Sequence, residues 1–167
     1  RQELISKIGE NISVRRFERI SSLDGLVAGY LHGGRIGVLV SLNKCDVELG
    51  KDIAMHIAAS RPICVSEDDV PAEVIEAERS IFIAQAKESG KSDDIVARMV
   101  DGKLNRFMKE NTLLGQAFVK DPDITVGDLV GRADTTVREM LRYEVGEGLE
   151  KRDDDFVAEV MAQAKRG

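Results

Sequence analysis

Two histidines and two cysteines are the side chains best suited to chemistry in this sequence: His32, His56, Cys45 and Cys64. Together they offer the nitrogen and sulfur ligands that zinc prefers, but zinc sites usually contain close pairs such as Cys-x-x-Cys, and these four form none. No metal site and no cofactor are therefore predicted. The cysteines are expected to be small buried or half-buried apolar residues. So few cysteines in a chain of 167 residues favour a reducing, cytoplasmic location.

Carboxylates crowd the end of the chain and could in principle act as acids or bases. Glu144, Glu147, Glu150 and the three aspartates at 153–155 have no nucleophile nearby and no apolar neighbours in sequence that would raise a pKa. We interpret them as solvated, and no catalytic residue is predicted. His56 is expected near a helix C-terminus, where it packs or caps and where a positively biased imidazole is stabilising by about 0.3–1 kcal/mol.

Charge and composition argue against nucleic-acid and membrane partners. The formal net charge is −6 and aromatic residues make up 4% of the chain, with no Trp. Both features disfavour a nucleic-acid surface. Arg15, Arg16 and Arg19 form a weak basic patch, for which internal ion pairing is the favoured use. No apolar run approaches the roughly 18 residues needed to span a bilayer.

A β-hairpin is the sharpest local prediction. Strand-like runs at 26–31 and 36–42 flank Gly33 and Gly34, which can supply the positive φ angles of a two-residue turn. Such a turn places His32 and Arg35 side by side at an exposed tip, where side chains are free to meet a partner.

Further elements follow from periodicity and capping residues. Strands are expected at 12–20, where the pattern is irregular, and at 135–145, where Val137, Leu141, Tyr143 and Val145 share one face; 113–123 is expected to be a loop. Helices are expected at 1–9, 47–59, 67–89, 93–111, 126–131 and 153–165, with Asp46, Ser92 and Thr125 as N-caps. The apolar stripes expected on the three longest central helices are Leu49, Ile53 and Ile57; Val74, Ala77, Ile81 and Ala84; and Val96, Val100, Leu104 and Phe107.

Early and late strands with helices between them predict an α+β fold. A small antiparallel sheet packs with helices, and two central helices on a short link form an inserted antiparallel helical hairpin of coiled-coil type. A C-terminal helix follows. The predicted units are 1–69 with 112–150 as the core, 70–111 as the inserted hairpin and 151–167 as a C-terminal helical module.

Four segments, in order along the chain, resemble signature stretches of bacterial elongation factor Ts. They read IGENI at 8–12, LHGGRIGVLV at 31–40, IAMHIAASRP at 53–62 and RYEVGEGLEK at 142–151. Each is modest alone, but four in register are specific. The resemblance implies a guanine-nucleotide exchange factor for elongation factor Tu, which acts by binding its nucleotide-free or GDP-bound GTPase and makes or breaks no bond itself.

The resemblance also indicates which part of the family is represented. The chain is similar to the second core half, the inserted coiled coil and the C-terminal module; its first residue, Arg1, lies within a predicted helix, which suggests a fragment. The family's Thr-Asp-Phe-Val loop, whose Phe disturbs the partner's magnesium site, is expected upstream of this sequence. By position, the resemblance implies partner contacts by His32, Gly33, Gly34 and Arg35, and then by Phe156, Val157, Val160 and Met161.

Two other readings stay open at this stage. A non-catalytic interaction module could form a homodimer through the helical hairpin, using residues 95–108 and the facing helix. An acid–base enzyme would need a pocket that joins His56 to Glu144 or Glu147.

Overall fold

The computed structural model describes residues 1–11, 13–88 and 90–148. Its centre is a three-stranded antiparallel sheet of order β1-β2-β5, formed by Leu26–His32, Ile36–Leu42 and Val137–Glu144. The late strand therefore returns to pair with the early hairpin, as the sequence predicts. Helices with this small antiparallel sheet make the fold α+β, which confirms the predicted class.

A β-bulge changes the face that half of β5 presents. Leu42 pairs with Val137 whereas Ser41 pairs with Glu139, so one extra residue lies in β5 at this point. Val137 is buried in the core. After the extra residue the alternation is reversed, and Leu141 lies on the opposite face from Val137. The prediction that Val137, Leu141, Tyr143 and Val145 share one face is therefore wrong; Val145 also lies beyond the end of the strand.

Helix α2, Val47–Ser60, covers one face of the sheet. It begins where Asp46 accepts a hydrogen bond from the amide of Leu49 at 3.0 Å, as predicted for an N-cap. The predicted stripe is confirmed, because Leu49, Ile53 and Ile57 are all buried. With apolar residues of β1 and β2, they build the main core. Its fully buried members include Val40, Leu42, Leu113 and Val126.

Helices α3, Ala72–Lys87, and α4, Asp93–Asn111, pack against each other around a second, smaller core. On α4 the buried residues are Val96, Val100 and Leu104, which confirms that stripe. The stripe predicted for α3 is wrong: Ala77, Ile81 and Ala84 are exposed. The residues of α3 that pack against α4 are instead Ile75, Phe82, Ile83 and Ala86.

Two further boundaries differ from the sequence predictions. Residues Glu67–Asp69 form a separate 3₁₀ turn, and α3 begins only after Pro71. The region expected to be a loop contains a short two-stranded sheet of β3, Ala117–Phe118, and β4, Asp121–Thr125. Helix α5, Val126–Arg132, then begins at Thr125 in a capping box with Asp128, as its cap residue predicts.

Helix α1, Gln2–Ile8, ends at Gly9, whose φ is 74°. The strand expected over 12–20 does not form: residues 13–22 have no regular secondary structure. The predicted helix at 153–165 lies outside the described residues. Among the helices that are described, none has the length and apolar character to cross a membrane.

Candidate functional site

The turn between β1 and β2 carries the four residues that the sequence singled out at 32–35. Gly33 and Gly34 have φ angles of 55° and 67°, and the amide of Arg35 donates to the carbonyl of His32 at 3.0 Å. Two consecutive positive φ angles are what a type I′ turn requires, and glycine adopts them without strain. All four residues are exposed. The structure therefore brings the predicted tip residues together.

The strand register makes this loop one residue longer than predicted. His32 pairs with Ile36, so Arg35 belongs to the loop instead of facing His32 across the ladder. The carbonyl of Arg35 accepts a hydrogen bond from the amide of Val145 at 2.9 Å. Because both its amide and its carbonyl are hydrogen-bonded, the backbone of the tip is fixed while the Arg35 side chain stays exposed. Such a preformed tip loses little conformational freedom on binding.

His32 lies on the side of the sheet that α2 covers. Its Nδ1 lies 3.1 Å from the hydroxyl of Tyr30, two residues earlier on the same face. Both rings border a cavity of about 360 Å³ between the hairpin and the C-terminal end of α2, together with Met55 and Arg61. The hydroxyl of Tyr30 therefore positions the His32 ring at the edge of this cavity.

A second feature of this end of the sheet is a cluster of charged residues. Sequence reasoning missed Arg61 and Arg142, and the interpretation of Glu144 as solvated is wrong, because both arginines bind its carboxylate. The Arg142 guanidinium donates to the carbonyl of Ala58 at 3.4 and 3.5 Å, near the end of α2. It also binds Glu144 at 2.8 Å, and Arg61 binds the same carboxylate at 2.8 Å. The hydrogen bond from Arg142 and the charges of Arg61, Arg142 and Arg35 lower the pKa of Glu144.

Arg15 and Arg16 both contact Glu147, and the internal ion pairing that the sequence favoured is confirmed for Arg16 but not for Arg15. Arg15 donates to the carbonyl of Glu147, and Arg16 forms an ion pair with the Glu147 carboxylate at 3.5 Å. Arg16 also lies over the ring of Tyr143, 4.8 Å from its centroid. The Tyr143 hydroxyl donates to Glu18 at 2.6 Å, which raises the pKa of Tyr143. These contacts fasten the segment at 15–18 to the end of the sheet beside the tip.

His56 is fully buried and hydrogen-bonded through both ring nitrogens. Nδ1 accepts from the amide of Val119 at 3.3 Å, so the neutral ring carries its proton on Nε2 and donates to Gln116 at 3.0 Å. Burial lowers the pKa of His56, although the hydrogen bond with Gln116 opposes the shift. The packing role predicted for His56 is confirmed, whereas the predicted positive imidazole is wrong because a charged ring is disfavoured in the core.

The described residues contain no site that would support an acid–base enzyme or hold a metal ion. His56 is bound to Gln116 and Val119, whereas Glu144 is bound to Arg61 and Arg142 and Glu147 is bound to Arg16. The described contacts therefore join His56 to neither glutamate. No group of three or more potential metal ligands occurs among the described residues. Cys64 is half-buried as expected, but Cys45 is exposed, contrary to the prediction.

The missed residues left only weak signals in the sequence. Arg61 directly precedes Pro62 and has a left-handed backbone with a φ of 51°, which marks the end of α2. Arg142 and Glu144 appear in sequence as part of a strand, and only the strand register brings them to the α2 terminus. The four C-terminal residues predicted to contact a partner, at 156, 157, 160 and 161, lie outside the described residues.

The fold and the site together define a class of protein. It is an α+β protein in which a pair of helices packs around a separate small core, and arginines flank a rigid, exposed hairpin tip. Residues 1–147 match the family "Elongation factor TS". The chain belongs to the elongation factor Ts family.

Curated relatives agree with this assignment. The chain is 60% identical over 165 residues to elongation factor Ts of Methylococcus capsulatus, with 99% of this chain and 56% of that protein covered. It is 58% identical over 164 residues to that of Alkalilimnicola ehrlichii, covering 98% and 56%. For Hahella chejuensis the values are 59% over 166 residues, 99% and 57%. The chain therefore spans about 56% of the length of these relatives.

Proposed function

We propose that this chain supplies partner contacts of a guanine-nucleotide exchange factor that acts on elongation factor Tu during translation elongation. The observation that carries the proposal is the family match over residues 1–147. In this proposal the chain works in the cytoplasm by binding another protein, needs no cofactor, and engages neither nucleic acid nor membrane. The net charge of −6 supports the exclusion of nucleic acid.

The tip at 32–35 is the primary contact in this proposal. A rigid backbone, an exposed His32 held by Tyr30, and an adjacent cavity are features that suit a preformed protein-binding surface. The resemblance adds a second contact at Phe156, Val157, Val160 and Met161. The tip would contact the third domain of the partner. The C-terminal residues would contact the GTPase domain of the partner.

Exchange would follow from a difference in affinity. An exchange protein that binds the nucleotide-free GTPase more tightly than the GDP·Mg²⁺ form must weaken GDP binding by the ratio of those two affinities. Nucleotide binding must in turn weaken the binding of the exchange protein to the same extent. Mg²⁺ requires near-ideal octahedral geometry, so a small distortion of its site is enough to weaken the bound nucleotide. The chain itself performs no covalent chemistry in this scheme.

We further propose that this chain binds but exchanges GDP poorly. The resemblance assigns Asp154-Asp155-Phe156-Val157 to the C-terminal module and not to the Thr-Asp-Phe-Val loop that the family uses as a wedge. Stopped-flow release of a fluorescent GDP analogue from elongation factor Tu measures this directly. We expect release well below that of a full-length relative; release at the full-length rate would contradict the proposal.

The contribution of the tip can be measured in the same system. His32→Ala should weaken binding about fivefold or more, because the proposal places His32 among the minority of interface residues whose truncation costs more than about 1 kcal/mol. Asn105→Ala is the matched control, since Asn105 is an exposed residue of α4 away from the tip. Equal affinities of the two variants would show that His32 contributes no measurable binding energy and would contradict its role as a primary contact.

A homodimer through the helix pair is the second candidate. The observation that favours it is the exposure of Ile81 and Ile95, which are 48% and 47% exposed on α3 and α4. Such a dimer would show a mass that rises with concentration in light scattering, and Ile81→Glu would abolish the rise. A constant monomeric mass would exclude it.

A further inference from the structure

A cleft of about 460 Å³ opens beside the tip, between the irregular segment at 13–16 and the turn of the hairpin, and arginine side chains and apolar side chains line it together. Three arginines and three glycines are prominent among its lining residues. Glycines have no side chain to fill the space, so the backbone beneath the arginines is open to a ligand. The arginines are Arg15, Arg16 and Arg35, and the glycines are Gly34, Gly37 and Gly146.

The carboxylate-bearing Glu144 lines this cleft and Glu147 lies close to it, and both carboxylates are already engaged. Glu144 is bound at 2.8 Å by both Arg142 and Arg61. Glu147 forms a long ion pair with Arg16, at 3.5 Å, and its carboxylate also accepts a hydrogen bond from the amide of Glu144 at 3.3 Å. Arg15 is bound to a backbone carbonyl, which leaves its charge unneutralised.

Arg35 is the most available of the three cations. Its side chain is exposed, and no hydrogen bond or ion pair joins its guanidinium to another residue in the described part of the chain; its effect on Glu144 is exerted through space. The cleft is therefore a local concentration of positive charge on a chain whose net charge is −6.

We infer that this cleft binds a carboxylate on an acidic segment of the protein partner, with Arg35 as the principal ligand. The inference rests on the proposed function, because Gly34 and Arg35 of the tip at 32–35 line the cleft. A guanidinium presents its N–H groups in a planar fork that matches a carboxylate with two parallel hydrogen bonds. Arg16 lies over one face of the Tyr143 ring, so that face is not available to stack on a nucleic-acid base.

Arg35→Gln in the full chain tests the inference, with binding to nucleotide-free elongation factor Tu measured at several ionic strengths. Removal of a charge-assisted hydrogen bond should weaken binding about tenfold, and the dependence of affinity on salt should become shallower. Arg138→Gln is the matched control: it removes the same charge from an exposed position of β5, near the end of the strand opposite Glu144. It should leave affinity and salt dependence unchanged. Arg35→Lys keeps the charge without the fork and should lie between wild type and Arg35→Gln.

Each outcome of this experiment either supports or overturns the inference. A loss confined to Arg35→Gln, with a shallower salt dependence, supports the inference. Wild-type binding with equal affinities for Arg35→Gln and Arg138→Gln would overturn it and remove Arg35 from the proposed tip contact, while the proposed binding of the chain to elongation factor Tu would stand. Absence of binding by the wild type would overturn the proposed function and the inference with it. Filter binding with single-stranded RNA adds one check: RNA retention lost on Arg35→Gln, with partner affinity unchanged, would mean that the cleft serves a different ligand.

Discussion

The imidazole of His56 and the side chain of Gln116 form a buried hydrogen bond of 3.0 Å that joins α2 to the start of β3. Gln116 also donates to the carbonyl of Glu110, at 2.9 Å, near the end of α4. One pair of side chains therefore connects the sheet-covering helix, the base of the helix pair and the small β3–β4 sheet. Since the ring is neutral and fully buried, this junction depends on pH.

Stability should fall when the pH drops below about 6.5, the ordinary pKa of histidine. The pKa of His56 is lowered in the folded state, so the unfolded chain takes up a proton first. The stabilisation is therefore complete above about pH 6.5 and is lost as pH falls toward the lowered pKa of the folded state. Urea unfolding at pH 7.5 and 5.5 measures the difference.

Two variants assign this pH dependence. His56→Gln should remove most of it and cost about 1–3 kcal/mol at pH 7.5, because the amide of Val119 loses its acceptor. His32→Gln is the control, since His32 is exposed. A pH dependence retained by His56→Gln but lost by His32→Gln would contradict the assignment.

Two glycines in helices should respond with opposite sign to the same substitution. A Cβ on Gly50 of α2 would lie 2.8 Å from Cβ of Ala28 and 2.9 Å from a methyl carbon of Leu26. Gly50→Ala should therefore destabilise by about 1–3 kcal/mol through overpacking against β1. A Cβ on Gly102 of α4 would meet nothing within 4 Å, and Gly102→Ala should stabilise by about 0.5–1 kcal/mol. Thermal unfolding of both variants checks the signs; stabilisation by Gly50→Ala would show that α2 can move away from the sheet.

The packing face of α3 can be tested with two isoleucines. Ile83 packs into the second core, whereas Ile81 is 48% exposed. Ile83→Ala should cost about 1–3 kcal/mol, less than the cost at a fully buried site. Ile81→Ala should stay within about 0.5 kcal/mol of wild type. Denaturant unfolding measures the stability of both variants. A larger loss of stability for Ile81→Ala than for Ile83→Ala would support the packing face that the sequence predicted.

Local chemistry explains which elements could be predicted from the sequence. Gly33 and Gly34 specify their turn through backbone conformation alone, and Asp46 specifies the start of α2 through one side-chain acceptor. The face of β5 could not be predicted, because the bulge opposite Leu42 depends on pairing with another strand. The face of α3 was ambiguous, since apolar residues occur on both of its sides and tertiary contact selects one.

The candidate site also contains one part that the sequence predicts and one part that depends on tertiary contacts. The tip at 32–35 follows from turn residues that are adjacent in sequence. The cluster of Arg61, Arg142 and Glu144 combines residues about 80 positions apart, which only the pairing of β2 with β5 and the packing of α2 bring together. Arg35 was predicted at the tip, but the arginine-lined cleft beside it depends on an irregular segment that the sequence suggested as a strand.

The central claim is that the chain binds the GTPase in a way that nucleotide opposes. Calorimetric titration of the chain into nucleotide-free elongation factor Tu, and then into the same protein saturated with GDP and Mg²⁺, tests it most directly. We predict tighter binding to the nucleotide-free form, and the ratio of the two affinities gives the coupling free energy between factor and nucleotide. Equal affinity for both forms, or no binding to either, would contradict the account.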